Sequence, residues 1–326
     1  MTLYRVPATL LVALATALAG MAHAQQVFPN RPVRIIIPFT PGGTNDILAR
    51  FLAPKLAENL GQNVIVDNRP GGNTVIASQA LLAANPDGHT LSLPGNSHVL
   101  VPYLSKTPLP FDSLRDFAPV ASLARTGLFL VVHPALPAKS VAELIALARS
   151  RPGELAYGTS GNGGSNHLAG ESFRLASGIR LNAIPYKGSA PALTALLAGD
   201  VPLMFDTLIT SIPLLKAGRL RALGVTLPKR SGSLPEVPTI AEAGLRGYEF
   251  TAWQAIVVPA GTDKAIIGKI HADTIKVLAL PDVKRKLVDE GANELIGSPP
   301  DALTRLVHTD IQKYRKLIAD SGIKIQ

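Results

Sequence analysis

The spacing of hydrophobic residues along the chain switches between the two periods that distinguish strands from helices. The run Val33–Ile37 (VRIII) is typical of a buried strand, and it stops at Pro38. Over Thr44–Leu60 the apolar residues recur three or four positions apart and predict one face of a helix: Ile47, Leu48, Phe51, Leu52, Leu56 and Leu60. The alternation continues with a strand over 64–66, a helix over 73–84 that ends at the turn signal 85–88, and a strand over 90–93.

A second series of the same kind begins with the apolar run Leu128–Val132. Ser140 with Glu143, and Thr239 with Glu242, match the capping box that opens a helix. Further strands are predicted over 155–157, 201–205, 220–225 and 255–258. Helices are predicted over 140–150, from the glycine-rich loop that follows strand 155–157 to about 177, and over 190–198. The chain after strand 255–258 is predicted to be helical, with breaks at 281 and 298–300. Repeated strand–helix–strand units imply parallel strands with crossover helices.

The two series predict an α/β protein of two lobes. No internal repeat, low-complexity tract or long linker separates them, so the chain is expected to enter one lobe, cross to the other and return. We place the crossings near 124–127 and 250–254, which assigns 25–125 and 255–326 to lobe 1 and 126–254 to lobe 2. A double crossover forms a hinge, and the cleft between the lobes is the natural ligand site.

The first 24 residues have the pattern of a signal peptide. Arg5 supplies the positive n-region, residues 6–20 form an apolar h-region, and Ala22 and Ala24 are the small residues before the cleavage point. The apolar run is shorter than the roughly 20 residues of a spanning helix. The mature protein is therefore expected to be soluble and to reside outside the cytoplasm.

Composition and charge exclude several classes of function. The chain contains no cysteine, which excludes thiolate zinc sites, iron–sulfur clusters and thiol nucleophiles, and its histidines show no metal-binding spacing. The net charge is +9, but Lys and Arg are scattered and no aromatic residues alternate with the densest run, 284–286. This distribution argues against nucleic acid and favours attraction of small anions. We predict no metal and no cofactor.

Two glycine-rich loops, 38–46 (PFTPGGTND) and 158–167 (GTSGNGGSNH), join the end of a predicted strand to the start of a helix. Open α/β sheets bind ligands at such positions, and the free amides of a helix N-terminus favour an anion. Gly42 and Gly43 let the backbone approach a ligand, and Thr44 adds a hydroxyl. One such loop in each lobe would face the other across the cleft. The first loop is not a P-loop, because the Gly-Lys-Ser/Thr that holds phosphate is missing.

Four residues outside the glycines extend the candidate site, with alternatives left open. Lys187 would neutralise a ligand carboxylate or remain a solvated surface lysine. Asp206 would accept from a ligand, pair with Lys187 or cap the following turn. Asp46 would complement the dipole of the first helix, or bond an amine, a water or its own loop. Ser97 follows the third strand and is placed to reach the mouth of the cleft.

Nine short motifs in order resemble the Bug family of periplasmic solute receptors, the binding components of tripartite tricarboxylate transporters. Each motif alone is weak, whereas the ordered set is specific and covers essentially the whole mature chain. The motifs are 28–38 (FPNRPVRIIIP), 41–46 (PGGTND), 68–72 (NRPGG), 85–88 (NPDG), 160–165 with 167–168, 185–188 (PYKG), 197–200 (LAGD), 237–239 (VPT) and 258–262 (VPAGT).

The resemblance implies the Venus-flytrap fold of type II periplasmic binding proteins. It implies a ligand carboxylate held by amides of both loops, partly through waters, and an amino acid, a di- or tricarboxylate or an aromatic acid as ligand. Pro54 inside the first helix and the stretch 96–98 depart from the family pattern. Matched positions give the predicted ligand contacts: Phe39, Thr40, Gly42, Gly43, Thr44, Asp46, Ser160, Gly161, Gly163, Ser165, Lys187, Gly188 and Asp206.

Two other functions compete with a transport receptor. An exported hydrolase is disfavoured, because Ser165 and His167 are too close in sequence to aim an imidazole at a hydroxyl and no Gly-x-Ser-x-Gly elbow is present. No catalytic residue is predicted. A receptor that reports its ligand to a membrane sensor kinase would use the same fold as one that delivers it to membrane transporter subunits. The sequence leaves those two partners open.

Overall fold

A computed structural model describes residues 28–290 and 293–323, and the predicted signal peptide lies outside them. The first of two sheets has six strands in the order β11-β4-β10-β3-β1-β2. The strands are β1 (Val33–Ile37), β2 (Val64–Asn68), β3 (Thr90–Ser92), β4 (Phe117–Thr126), β10 (Ala252–Pro259) and β11 (Asn293–Ser298). The helices around this sheet are α1 (Thr44–Leu60), α2 (Val75–Leu82), α3 (Asn96–Leu104), α8 (Lys264–Leu278) and α9 (Pro281–Lys284), which a π-helical turn (Arg285–Glu290) follows.

The second sheet has five strands in the order β7-β6-β8-β5-β9. They are β5 (Leu128–Val132), β6 (Ala156–Thr159), β7 (Asn182–Pro185), β8 (Leu203–Thr207) and β9 (Arg221–Val225). The helices between them are α4 (Val141–Ser150), α5 (Ser165–Ser177), α6 (Ser189–Ala198) and α7 (Leu208–Lys216), and the last described helix is α10 (Pro300–Ser321).

The chain passes twice between the sheets, as predicted. β4 ends at Thr126 in the first sheet, and after Gly127 alone the chain enters β5 in the second. The return leads from the second lobe into β10, which pairs antiparallel with β4 from Ala252 to Pro259. The two passages therefore lie on adjacent strands, as a double crossover hinge requires. The residue at which each lobe begins and ends remains a prediction.

Helix α10 links the two lobes through the core. Its residues Leu303, Val307, Ile311 and Tyr314 are buried in one apolar cluster with side chains of the second sheet and of α5. The Tyr314 hydroxyl also donates to the carbonyl of Thr251 at the second passage, 3.3 Å away. The same cluster contains Val99 and Leu100 of α3, so the C-terminal helix packs against both lobes.

Many of the predicted elements are confirmed, and the exceptions have local causes. β1, α1 and β5 have the predicted bounds, and the Ser140 capping box opens α4. At Thr239 the reciprocal capping bonds form, but a turn follows instead of a helix. The predicted helix 73–84 begins only at Val75, because Asn73 and Thr74 adopt left-handed backbone angles, with φ of 51° and 80°.

The sheets are less parallel than the strand–helix repetition implies. β1, β2 and β3 are parallel to one another, and β6 is parallel to β7 and β8. β4, β10 and β11 form antiparallel pairs, as do β5, β8 and β9. β11 corrects the expectation that the chain beyond residue 259 is wholly helical. None of the helices in the described part of the chain has the length and apolarity to cross a membrane.

Candidate functional site

The loop between β1 and α1 is held in place by Asp46. One carboxylate oxygen accepts from the Gly42 N–H at 2.9 Å, and the other accepts from Arg50 Nε at 2.9 Å. Arg50 also donates to Asn68, whose amide donates to the Phe39 carbonyl. Burial raises the pKa of Asp46, but the bonds from Arg50, Gly42 and Asn68 outweigh it and leave the pKa below its ordinary value. Asp46 therefore orders the loop as an ionised group that is directed away from the cleft.

The matching loop between β6 and α5 is held by His167. The Gly163 N–H donates to His167 Nδ1 at 2.9 Å, so this nitrogen is the acceptor and the ring is neutral. Burial lowers the pKa of His167, which favours the same state. Gly161 and Gly163 have φ of 118° and 73°, where a side chain would strain the backbone. Since His167 is committed to the loop, it is not placed to activate Ser165 as a nucleophile.

The two lobes meet across the cleft. Thr44 Oγ1 lies 2.6 Å from Thr207 Oγ1, which is a direct hydrogen bond between the lobes. A Cβ at Gly188 would lie 2.4 Å from Thr40 Oγ1, and a Cβ at Gly163 would lie 2.0 Å from a methyl of Leu104. The absence of a side chain at Gly188 and Gly163 therefore makes room for Thr40 and Leu104 of lobe 1. In this structure the two lobes are in contact.

A small inner cavity of about 30 Å³ lies between the lobes. This volume holds roughly two waters or one carboxylate group. The lining consists mainly of hydroxyls, side-chain amides and glycines, with Phe39, Ala252 and the Trp253 indole as its apolar part. It contains no charged residue: Phe39, Gly43, Thr44, Asn45, Gly95, Ser97, Ser160, Ser165, Asn166, Ser189, Thr207, Ala252, Trp253 and Gln254. Such a lining can solvate a carboxylate by donating hydrogen bonds to it.

A larger outer compartment of about 490 Å³ adjoins this cavity. Phe39 and Ser160 line both spaces, so they form the boundary between them. Segments of both lobes line the outer compartment: 38–39, 71–75, residue 101, 105 and 107–110 from the first, and 160–162 with 186–187 from the second. It therefore belongs to the same interlobe cleft.

The structure brings most of the predicted site residues to this cleft. Those that line the inner cavity are Phe39, Gly43, Thr44, Ser97, Ser160 and Ser165. Gly161 and Lys187 join Phe39 and Ser160 at the outer compartment. Thr40, Gly42, Gly163 and Gly188 lie where one lobe touches the other. Whether they contact a ligand remains a prediction.

Asp206 lines neither compartment of the cleft in this structure. It is fully buried, and its Oδ2 accepts from the Thr210 hydroxyl at 2.6 Å and the Ser211 hydroxyl at 2.7 Å. Burial raises the pKa of Asp206 to about 6, although these bonds and one from the Thr207 N–H act in the opposite direction. Of the sequence-based alternatives, the cap of the following turn is observed and no bond to Lys187 forms, whereas a bond from a ligand stays a prediction.

Several lining residues were not predicted from the sequence. Asn45 and Asn166 donate to the backbone carbonyls of Leu93 and Phe205, each in its own lobe. Both follow a Gly-Gly pair by two positions, in Gly-Gly-Thr-Asn and Gly-Gly-Ser-Asn, and this shared four-residue pattern was the available signal. No sequence pattern indicated the other lining residues Thr207, Trp253 and Gln254. Their position at the cavity depends on how the two lobes pack against each other.

Trp253 forms the hinge-side wall of the inner cavity. Its indole N–H donates to Asp310 of α10 at 2.6 Å, and its backbone N–H donates to Asn96 Oδ1 at 3.0 Å. Asn96 in turn donates to the same Asp310 carboxylate at 2.8 Å. The wall is therefore tied to the first lobe through Asn96 and to the C-terminal helix through Asp310.

Comparison with known proteins agrees with this architecture. The family described as "Tripartite tricarboxylate transporter family receptor" (TctC) matches residues 48–323. Protein BugT of Bordetella pertussis (strain Tohama I) is 35% identical over 327 residues, which covers 100% of both chains.

Two solved structures from Rhodopseudomonas palustris are similar along nearly the whole chain. Rpa4515 with adipate is 39% identical with a TM-score of 0.88, covering 91% of this chain and 99% of that one. MatC with bound malate is 29% identical with a TM-score of 0.84, covering 89% of this chain and all of that one. The fold is that of type II periplasmic binding proteins, with two α/β lobes. The chain therefore belongs to the tripartite tricarboxylate transporter receptor family, a family of solute-binding receptors that includes the Bug proteins.

Proposed function

We propose that this protein is a periplasmic receptor that captures a small carboxylate in the interlobe cleft for uptake by a tripartite tricarboxylate-type transporter. The observation that carries the proposal is the inner cavity, in which donors from both lobes surround a space that contains no acidic side chain. A carboxylate bound there would be contacted by both lobes at once, so it would stabilise the closed arrangement.

The electrostatics of the cleft support an anionic ligand. Asp46 and Asp206, the two acidic residues of the predicted site, are turned into their own lobes and bonded there. The net charge of +9 for the whole chain adds a long-range attraction for anions. Adipate in Rpa4515 and malate in MatC are carboxylates of the proposed class.

Membership of the family supports a tripartite transporter as the partner, and the signal-peptide pattern supports the periplasm as the compartment. Receptors of this family work with tripartite transporters, so delivery to membrane transporter subunits is the partner we propose. Delivery to a sensor kinase is the competing outcome, and no contact in the described chain favours it. Cross-linking of the liganded protein in membranes, followed by mass spectrometry, separates the two partners.

A thermal-shift screen of carboxylates, with mass spectrometry of ligand carried through purification, tests the proposal. A ligand that binds only the folded protein at 100 times its Kd stabilises it by about 2.7 kcal/mol, a shift that is readily measured. We expect at least one carboxylate to raise the melting temperature. Turnover of an ester or amide substrate, with no response to any carboxylate, would contradict a receptor.

A further inference from the structure

A row of hydroxyl groups connects the buried carboxyl group of Asp206 to the inner cavity. Asp206 Oδ2 accepts from the Thr210 hydroxyl at 2.6 Å, and Thr210 Oγ1 lies 2.8 Å from Thr207 Oγ1. Thr207 Oγ1 in turn lies 2.6 Å from Thr44 Oγ1 of the other lobe, and both of these threonines line the cavity. The row therefore extends from a group that titrates to the hydroxyls that a ligand would touch.

Each hydroxyl in the row has a single hydrogen, so an ionised Asp206 fixes the direction of every bond. A carboxylate only accepts, and it uses the hydrogens of Thr210 and Ser211. Thr207 must then donate to Thr210, and Thr44 must donate to Thr207. Both cavity hydroxyls are left with only oxygen lone pairs to present to the cavity, and these repel a ligand carboxylate.

A neutral Asp206 removes this constraint. Its own O–H donates to Thr210, whose hydrogen is then available to Thr207 Oγ1 or to the Thr207 carbonyl at 2.9 Å. When Thr210 donates to Thr207 Oγ1, Thr207 donates to Thr44, and the Thr44 hydrogen is free to point into the cavity. A ligand carboxylate accepts that hydrogen. The loss of the negative charge behind Thr207 favours an anion in the same direction.

We infer that Asp206 is a positioning residue that couples carboxylate binding to the uptake of a proton, an inference that rests on the proposed receptor function. Binding favours the neutral acid, so the pKa of Asp206 is higher with ligand than without it. Burial already raises this pKa to about 6 in the absence of a ligand. The extra affinity from the neutral acid is therefore complete below pH 6 and is lost as the pH rises above 6.

The charged groups on the elements around Asp206 leave this titration to Asp206 itself. β5 and α6 carry no titratable residue. The groups on the same side of the second sheet are Lys187, Lys216, Arg221, Arg285, Lys286 and Asp289. Those of β6, α5 and the facing loop of lobe 1 are Tyr157, His167, Glu171, Arg174 and Asp46. None of them contributes to the pKa of Asp206, which burial and hydrogen bonds determine.

Calorimetric titration of the wild-type protein counts the protons directly. Adipate is the first probe, and the carboxylate with the largest thermal shift replaces it if adipate does not bind. The binding enthalpy is measured at pH 7 in two buffers of different ionisation enthalpy, and the difference gives the protons taken up per ligand. We expect about half a proton or more, because the empty carboxyl group is mostly ionised at pH 7. Binding without proton uptake would overturn the inference.

The Asp206→Asn variant assigns the proton to its site. Between pH 6 and 8, where ordinary carboxyl groups of a ligand are already ionised, wild-type affinity should fall by about five- to twentyfold. Asp206→Asn is neutral at every pH, so its affinity should stay constant and its proton uptake should vanish. Asp200→Asn, an exposed aspartate of the same lobe, should follow wild type. A merely structural role of Asp206 would leave the pH dependence of affinity in Asp206→Asn like that of wild type, and this result would overturn the assignment.

The inference and the receptor function fail in different ways. If no carboxylate binds the wild-type protein at any pH between 5 and 8, the receptor function falls and the proton coupling falls with it. If a carboxylate binds with an affinity and a proton count that do not depend on Asp206, the receptor function stands and the proton coupling is wrong. Proton uptake by wild type alone remains a test of the coupling if Asp206→Asn does not fold.

Discussion

Thr44 Oγ1 and Thr207 Oγ1 lie 2.6 Å apart and form a hydrogen bond from one lobe to the other. Thr44 is the first residue of α1, and Thr207 is the last residue of β8. Both hydroxyls also line the inner cavity. The bond that holds the lobes together is therefore part of the wall that a ligand would touch, so closure and binding depend on the same two side chains.

Replacing Thr44 with valine should weaken ligand binding by opposing closure. The substitution conserves shape but removes the partner of Thr207, and a hydrogen bond contributes about 0.5–1.5 kcal/mol net. Adipate affinity is therefore expected to fall about two- to tenfold in calorimetric titration. Thr207 keeps a second partner, Thr210, at 2.8 Å, so the folded lobe should remain intact.

Thr194→Val is the control for this change. The Thr194 hydroxyl donates to the Ala190 carbonyl on an exposed helix face in the same lobe as Thr207. Equal loss of affinity in both variants would show that the effect is not specific to the interlobe bond.

Alanine at Gly188 should prevent full closure. Its Cβ would lie 2.4 Å from Thr40 Oγ1, and the φ of 135° adds backbone strain. We expect affinity to fall by more than tenfold, and X-ray scattering to show a radius of gyration that ligand no longer reduces. Gly244→Ala has a positive φ of 114° with no atom within 4 Å of the added Cβ, and it serves as the control for backbone strain without a clash.

A second substitution tests whether the loss of affinity in Gly188→Ala comes from the clash with Thr40. Thr40→Ala in the Gly188→Ala background removes the hydroxyl against which the new methyl clashes. Affinity should recover in the double variant relative to Gly188→Ala. Failure to recover would mean that Gly188 serves the ligand or its own backbone and not the contact with Thr40.

The buried Asp206 predicts a characteristic dependence of stability on pH. Its pKa is about 6 in the folded protein against an ordinary value of 3.8, so the native state binds more protons between these values. Its contribution to stability is therefore complete below pH 3.8 and is lost as the pH rises through about 6. The shift corresponds to roughly 3 kcal/mol across that window.

His98 changes the dependence of stability on pH in the opposite direction. The contribution of Asp206 must therefore be isolated by comparing variants with wild type. Burial lowers the pKa of His98 from 6.5 to about 4, so its contribution is lost as the pH falls through about 4. In urea unfolding between pH 4 and 7, Asp206→Asn should therefore gain stability with rising pH more steeply than wild type. Asp200→Asn changes an exposed aspartate of the same lobe and should follow wild type. Parallel curves for wild type and Asp206→Asn would contradict the burial of an ionisable group there.

Removing the acceptor at His167 should loosen the second loop. His167→Phe keeps an aromatic ring but leaves the Gly163 N–H without its partner, which typically costs about 1–3 kcal/mol for a buried donor. A lower melting temperature and weaker adipate binding are expected, with the secondary structure unchanged by circular dichroism. His133→Phe is the control, because it removes the acceptor of the Ala135 N–H at an exposed position of the same lobe. Wild-type affinity in His167→Phe would show that the loop does not need this bond.

The elements that could be predicted are those whose first and last residues are marked by the local sequence. The bounds of α1 follow from glycines on both sides, Gly43 before Thr44 and Gly61 after Leu60, where the chain adopts a left-handed angle. β4 and β11 were missed. Pro119 interrupts the pattern of β4, and β11 is a short strand whose place depends on pairing with β4. Local sequence does not encode that partner.

The candidate site was predictable at the level of loops and less so at the level of side chains. The position of both glycine-rich loops follows from strand-to-helix connections. The direction of a carboxylate does not: Asp46 and Asp206 are turned inward because donors in their own lobes, such as Arg50 and Ser211, happen to lie within reach. The left-handed angles of Asn73 and Thr74 were likewise not predictable, since non-glycine residues seldom adopt them.

Quenching of Trp253 fluorescence by acrylamide is the most direct test of carboxylate binding between the lobes. Trp253 is the single tryptophan of the chain, it lines the inner cavity, and it is 3% exposed with the lobes in contact. Closure around a ligand should shield it, so increasing adipate should lower the quenching constant until the site saturates. If no carboxylate up to millimolar concentration alters either the quenching constant or the melting temperature, that result would contradict a ligand site between the lobes.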